Sequence, residues 1–306
     1  MKYLLLADVN IPQGYEHLLN AKMPMQAILY PIVGLLLVLI AAIIIAVVVG
    51  KKHKFQMLPL ITGATIYMFF NYFLVGIISM FVPAGSMAVY LIVVSLLTAF
   101  VPFMGRLFFI KLFAKKYNTL QAHLGYGVGF IGMRCIMNIL SFVYPIANYA
   151  QLKSNGVAYY FPADAEADAA LEMAKTIEEI LSTNYSYYML LALVTISLIV
   201  YGFAVSVPIY AAFRNKKSKA WYAFVLGTGF VIAGAEVLFS SNTLAIPAII
   251  VAMITAIVTA FFAVKLYNEL LEKEVEEESK DDKKDEGSIS KNAHVKIPRF
   301  SNLDKL

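Results

Sequence analysis

Charge is the scarcest property of this sequence. Only 15% of its 306 residues are charged, whereas soluble globular proteins have about 25%. Apolar residues make up 60% of the chain, which is more than a single water-soluble domain of this length could bury. The few charges also gather in short clusters and in the C-terminal segment. This distribution indicates a chain whose surroundings are largely lipid.

Cysteine and histidine are almost absent as well. The single cysteine, Cys135, excludes an internal disulfide and any zinc site built from several cysteines. No aspartate falls within the membrane spans predicted below, and neither does any of the four histidines, His17, His53, His123 and His294. The predicted spans are therefore poor in the side chains that bind metals or carry protons.

The lack of metal-binding and proton-carrying side chains argues against catalysis inside the membrane. A zinc site needs three or four His, Cys, Asp or Glu ligands, and the spans offer only Cys135 and Glu236. A serine nucleophile needs a nearby base, and an aspartyl pair needs two adjacent carboxylates. We therefore predict no catalytic residue, no metal ligand and no cofactor. One alternative stays open, in which His53 or His123, both placed at the cytoplasmic interface, reaches a cluster of carboxylates.

Seven stretches are long and apolar enough to cross a bilayer, which takes about 20 residues per helix. Irregular backbone cannot face lipid, so each stretch should be helical. The sequence thus predicts an all-α, polytopic bundle of about seven transmembrane helices over residues 26–268. The predicted spans are 26–50, 56–82, 87–113, 124–149, 187–212, 220–240 and 244–267.

Basic residues give the bundle an orientation. The loops after the first, third and fifth spans are rich in lysine and arginine, whereas the lysines of the opposite side are spread thinly. The positive-inside rule then places the N-terminus outside and the C-terminus in the cytoplasm. We predict a short extracellular segment at 1–25, an extracellular amphipathic helix at about 163–183, and a charged, partly disordered cytoplasmic tail at 269–306.

The net charge of +5 does not indicate a nucleic-acid partner, because the basic residues sit beside the spans, where they act as orientation signals. The predicted partner is the lipid bilayer, and a membrane peptide or protein is a further possibility. We expect a multi-pass protein of the cell membrane, of bacterial plasma-membrane type. The sequence does not determine the oligomeric state.

Away from the ends of the predicted spans, three charged residues lie inside them, namely Arg106, Arg134 and Glu236. Intramembrane charges are expensive and usually functional. Because Glu236 is the only carboxylate within the spans, we predict that it pairs with Arg134. The pair could fix helix packing or could help to bind an anionic headgroup or a peptide carboxylate, and a third possibility is that Arg134 snorkels without a partner. We predict a binding cavity formed by these three residues and Asn138.

Three short motifs add a resemblance to this picture. Residues 102–106 read Pro-Phe-Met-Gly-Arg, residues 126–134 read Tyr-Gly-Val-Gly-Phe-Ile-Gly-Met-Arg, and residues 202–206 read Gly-Phe-Ala-Val-Ser. Over about 100–230 the chain resembles the YhfC-like family of intramembrane metalloproteases. That family carries Glu-Glu-x-Gly-Arg, then Tyr-Gly-x-Gly-His-Gly-Gly-x-Glu, and later His-x-x-x-Ser. The spacing and the glycine frame are similar.

The resemblance implies the fold, and the departures from it imply lost metal chemistry. Pro102 and Phe103 replace the two glutamates of the first motif, Phe130 and Arg134 replace the histidine and glutamate of the second, and Gly202 replaces the last histidine. A non-catalytic member that binds a membrane substrate or regulates a partner is the preferred interpretation. The alternatives are a transporter or channel subunit, and an active intramembrane protease with unrecognised ligands.

Overall fold

Helices make up the regular structure throughout the described part of the chain. The computed structural model describes residues 11–52, 56–82, 86–113, 119–161, 166–182, 184–214, 218–239 and 244–285, and these contain no strand. The α-helices are α1 (Gln26–Lys52), α2 (Met57–Ile66), α3 (Val75–Met80), α4 (Met87–Phe113), α5 (Leu120–Asn155), α6 (Ala167–Ser182), α7 (Tyr187–Ala204), α8 (Ser206–Phe213), α9 (Ala220–Phe239) and α10 (Ala245–Asp285).

Seven helical stretches within these ranges are long and apolar enough to cross a membrane, so the predicted fold class is confirmed. The chain is a multi-pass membrane protein, and the sides on which its termini lie remain a prediction. The spans are Gln26–Lys51, Met57–Met80, Ala88–Leu112, Leu120–Asn155, Tyr187–Phe213, Ala220–Phe239 and Ala245–Glu272.

The fourth span differs most from its predicted bounds of 124–149, because α5 runs for 36 residues from Leu120 to Asn155. Polar residues at both ends, such as His123 and Lys153, dilute the apolar pattern without ending the helix. At the C-terminus, α10 continues past the apolar part of the seventh span to Asp285. The disorder predicted for the end of the tail lies outside the described residues, as do residues 1–10 of the predicted N-terminal segment.

The chain forms two compact units. The first consists of Met1–Val38 and Met137–Ala192. Its small core includes the apolar face of α6, where Ala170, Ala174 and Ile177 pack with buried residues from elsewhere in this unit: Leu18, Leu152, Val157 and Phe161. An amphipathic helix is therefore present where the sequence predicts one at about 163–183.

The second unit consists of Leu39–Ile136 and Leu193–Leu306, and α9 packs there against α4 and α10. Within it, α2 and α5 approach so closely that their backbones touch. A Cβ atom added at Gly63 would collide with the carbonyl oxygen of Tyr126, and one added at Gly129 would collide with the carbonyl oxygen of Leu60. Small residues permit such contact between membrane helices.

Two spans of the second unit are irregular. The second span contains a π-helical segment, Tyr67–Leu74, between α2 and α3, and such segments often occur at functional sites. The fifth span is interrupted at Val205, between α7 and α8. Pro208 explains this interruption, because proline cannot donate to the carbonyl four residues earlier, that of Ala204, and its ring crowds that carbonyl.

The α2–α5 contact generates a stability prediction. We expect Gly129→Ala to lower the free energy of unfolding by about 1–3 kcal/mol, because the new methyl group meets backbone that cannot move aside. Gly132→Ala, on the same helix, is the matched control, since a Cβ there has nothing within 4 Å. Alanine at that position should be neutral or stabilising, as expected for a helix interior. Thermal unfolding in detergent compares the two, and equal effects would refute the tight contact.

Candidate binding cavity

The intramembrane pair predicted from the sequence is present. Arg134 on α5 donates from Nη2 to Oε1 of Glu236 on α9 over 2.6 Å. The two partners differ in exposure, because the Arg134 side chain is 7% exposed and that of Glu236 is 39% exposed. The arginine is therefore enclosed by the helices, whereas its counter-ion lies at the edge of the site.

Arg106, on α4, has a different environment. Its Nη2 donates to the carbonyl oxygen of Gly202 over 2.9 Å, and its guanidinium carbon lies 4.1 Å from the ring centroid of Phe130. The residue is only 6% exposed. Among the described residues, no carboxylate lies within ion-pair distance of Arg106. A carbonyl dipole and an aromatic face thus stand where a buried arginine would usually have an acidic partner.

Two aromatic rings accompany the guanidinium groups. Tyr67 and Phe130 contact each other edge to face, with centroids 5.1 Å apart. The Arg134 guanidinium carbon is 5.9 Å from the Tyr67 ring centroid, and that of Arg106 lies over the Phe130 ring. Tyr67 opens the π-helical segment, so the irregularity of the second span belongs to the framework of the site. Each guanidinium group thus lies near the π face of one ring, which stabilises its charge.

A cavity of about 60 Å³ lies among these groups, within the second unit. Side chains from the second to the sixth spans line it, so five of the seven spans contribute. The polar and aromatic part of its wall is formed by Asn71, Thr98, Phe103, Arg106, Phe130, Arg134, Tyr201 and Glu236. The remainder of the wall is apolar. Such a setting, mostly apolar with a few polar groups that converge, is typical of a ligand site.

The charges in this wall do not balance. Arg106 and Arg134 are cations, and Glu236 is the single carboxylate in the lining, so the three groups together carry one excess positive charge. Hydrogen-bond donors are in excess as well, because Nε of Arg134 is buried without an acceptor. The arrangement is suited to hold a small anionic group.

The structure brings three of the four predicted site residues together. Asn138 lies one turn after Arg134 along α5 and is half-buried, but it falls in the part of the chain assigned to the first unit. Its role in binding stays a prediction. The other three could be identified from the sequence because charged residues are rare within the spans. Tyr67 and Tyr201 were missed, since aromatic residues are common in this chain and these two carry no distinctive spacing, and Phe130 was noted only as the residue in place of the motif histidine.

His123 is buried, although a histidine at the interface would be expected to be exposed. It is 1% exposed and is the fourth residue of the 36-residue helix that forms the fourth span; its place at the interface stays a prediction. Its ring packs against Tyr126, Tyr210 and Phe213. The apolar pattern begins only after His123, and nothing local indicates that aromatic residues of α8 surround it. Because a histidine is neutral at little cost, it tolerates this site.

The buried histidine does not complete a metal site with its described neighbours. Within the described ranges, no three His, Cys, Asp or Glu side chains lie close enough to hold a metal ion together. The residues that line the small chamber beside His123 include an arginine and a serine but no carboxylate. His53, the other histidine of that alternative, lies outside the described residues.

The Arg134–Glu236 pair generates the second prediction. Glu236→Gln leaves Arg134 buried without its counter-ion, and we expect a loss of about 2 kcal/mol in the free energy of unfolding. This is less than the 3–5 kcal/mol for a fully buried pair, since Glu236 is partly exposed. The control is Glu172→Gln on the exposed face of α6. Adding Arg134→Gln should recover part of the loss. A double variant whose two losses simply add would contradict the pairing.

Comparison with known proteins does not assign a family. No family model, curated protein or solved structure matches this chain.

Proposed function

We propose that this multi-pass membrane protein binds an anionic group of a membrane-borne substrate or partner in the cavity at Arg106 and Arg134, without cutting it. We further propose that its fold is YhfC-like and that the metal chemistry of that family is lost. The motif frames at 102–106 and 126–134 support the fold. The substituted glutamate and histidine positions support the loss of hydrolysis. The basic loops support an orientation with the N-terminus outside, and we propose the bacterial plasma membrane as the location.

One observation carries the binding proposal: Arg106 is buried at the wall of a cavity and has no carboxylate partner among the described residues. An uncompensated charge at this depth costs several kcal/mol. The Gly202 carbonyl and the Phe130 ring offset only part of that cost. An anion in the cavity would offset the rest, and its absence would leave the site charged.

The chemistry of the wall narrows the ligand to a carboxylate or a phosphate. Guanidinium groups offer planar, paired donors that match both. Oxygen atoms of such a group would accept from Arg106 and from Nε of Arg134, which has no acceptor. The apolar remainder of the wall favours a ligand whose anionic head continues into a hydrocarbon or peptide chain.

The third prediction tests this binding. The protein is placed in phosphatidylcholine nanodiscs, and its Tm is measured with oleate, with the uncharged methyl oleate, with acetate and with phosphate. We expect oleate to raise Tm by about 5 °C at saturation and methyl oleate to have no such effect. A response to acetate or phosphate alone would identify a soluble anion as the ligand.

Variants make the test specific. Arg106→Gln removes the buried charge and keeps a polar side chain, so it should lose the response to oleate. Lys111→Gln removes a cation from the exposed end of the same helix and should respond as the unaltered protein does. Equal shifts with oleate and its ester, or a full response in Arg106→Gln, would refute an anion site.

A transporter is the second candidate, and one observation favours it. Arg106 lines both the main cavity and the small chamber beside His123, so a charged side chain of α4 is shared by the two spaces, one lined by His123 and the other by Arg134. A conducting or carrying protein requires such a sequence of polar sites. Oleate or acetate flux in proteoliposomes, abolished by Arg106→Gln, would favour transport. Binding without flux would favour the first candidate.

A further inference from the structure

A wholly apolar cavity of about 180 Å³ lies elsewhere in the second unit. Its accessible surface carries no polar atom, and residues of the first, fourth, fifth and seventh spans form its wall. The cavity is not closed, since Val264 in its wall is 38% exposed. The wall includes Val49, Leu124, Val200, Phe203, Ala260 and Val264.

The fifth span separates this cavity from the one at Arg106 and Arg134. Tyr201 and Gly202 line the arginine cavity, whereas the next two residues, Phe203 and Ala204, line the apolar one. Because a helix turns by about 100° per residue, an offset of two positions places the two pairs on nearly opposite faces of α7. The two cavities therefore share no wall residue and differ completely in chemistry.

The apolar wall limits what the cavity can hold. Water and ions find no partner there, and an engineered apolar cavity of about 150 Å³ stays dry and binds benzene. An empty cavity would leave the wall atoms without dispersion contacts on one side. The wall belongs to spans whose surroundings are hydrocarbon, so a lipid acyl chain is the occupant that the surroundings supply.

Two lysines lie beside the cavity in the sequence. Lys51 follows Val49 by two positions on α1, Lys265 directly follows Val264 on α10, and both lysines are exposed. The first acidic residue of α10, Glu269, comes only after them. Lysines near the ends of spans attract anionic lipids, and a long lysine side chain can reach the level of the headgroups.

We propose that this cavity is a binding site for one acyl chain of a phospholipid with an anionic headgroup, which Lys51 and Lys265 attract. Burial in apolar surroundings alone would not select a lipid, because a membrane helix gains nothing by exchanging one hydrocarbon contact for another. Enclosure by four spans and the two positive charges supply the selection. The site is independent of the anion binding proposed at Arg106.

The single tryptophan of the chain provides the measurement. Trp221 packs against the cluster of buried residues that includes Val49, Leu124 and Tyr267 of the cavity wall, so bromine atoms on a bound chain should quench its fluorescence. The protein is placed in phosphatidylcholine vesicles that contain a small, varied fraction of phosphatidylglycerol or phosphatidylcholine with brominated chains. We expect brominated phosphatidylglycerol to bind about five-fold more tightly. Equal quenching by the two lipids would overturn the proposal.

Variants that fill the cavity test where the chain binds. Ala260→Leu and Val200→Phe occupy the space from different spans and should abolish the preference for phosphatidylglycerol. Ala88→Leu, at an exposed position of α4, is the matched control and should keep it. Filling vacant apolar space should leave Tm unchanged or raise it. A preference that persists in both filling variants, or a Tm that falls in both because no space is free, would overturn the proposal.

The headgroup is tested separately. Lys51→Gln combined with Lys265→Gln should remove the preference, whereas Lys111→Gln, at the exposed end of α4, should keep it. A full preference in the double variant would show that these lysines do not attract the headgroup and would overturn that assignment. Arg106→Gln should keep the preference as well, so this proposal and the binding of an anion at Arg106 can fail independently.

Discussion

The two guanidinium groups inside the helix bundle, Arg106 and Arg134, determine which groups must surround them. Arginine keeps its charge under all conditions that a cell offers, and water is scarce at this depth. The chain therefore surrounds the charges with one carboxylate from α9, one carbonyl oxygen beside the interruption of the fifth span, and two aromatic rings. Five spans contribute to this arrangement, which leaves a cavity where compensation is incomplete.

Features that depend on local composition could be predicted from the sequence. Seven apolar stretches correspond to seven membrane-length helices, because length and hydropathy alone decide whether a helix can span a bilayer. The pairing of Arg134 with Glu236 was also predictable, by elimination rather than by spacing. Two residues 102 positions apart carry no local signal of contact, but the spans offered the arginine a single carboxylate.

Features that depend on packing between distant segments could not be predicted. In the sequence, His123 is a polar residue just before an apolar run, which suggests the end of a span. Its burial depends on the aromatic side chains of α8, which come from a distant part of the chain. The partner of Arg106 is a backbone carbonyl, which every residue possesses and no sequence pattern marks. Likewise, the π-helical turn at Tyr67 reflects how the second span is accommodated beside its neighbours, since nothing in its residue types demands it.

The backbone contact between α2 and α5 has a consequence for how the cavity can adapt. With Gly63 and Gly129 against opposing carbonyl groups, α2 and α5 cannot slide past each other without a collision, so Tyr67 and Arg134, which follow these glycines along the two helices, keep their relative position. Glu236 belongs to α9 instead and is half-exposed, so the salt bridge to Arg134 ties a third helix to this close-packed pair.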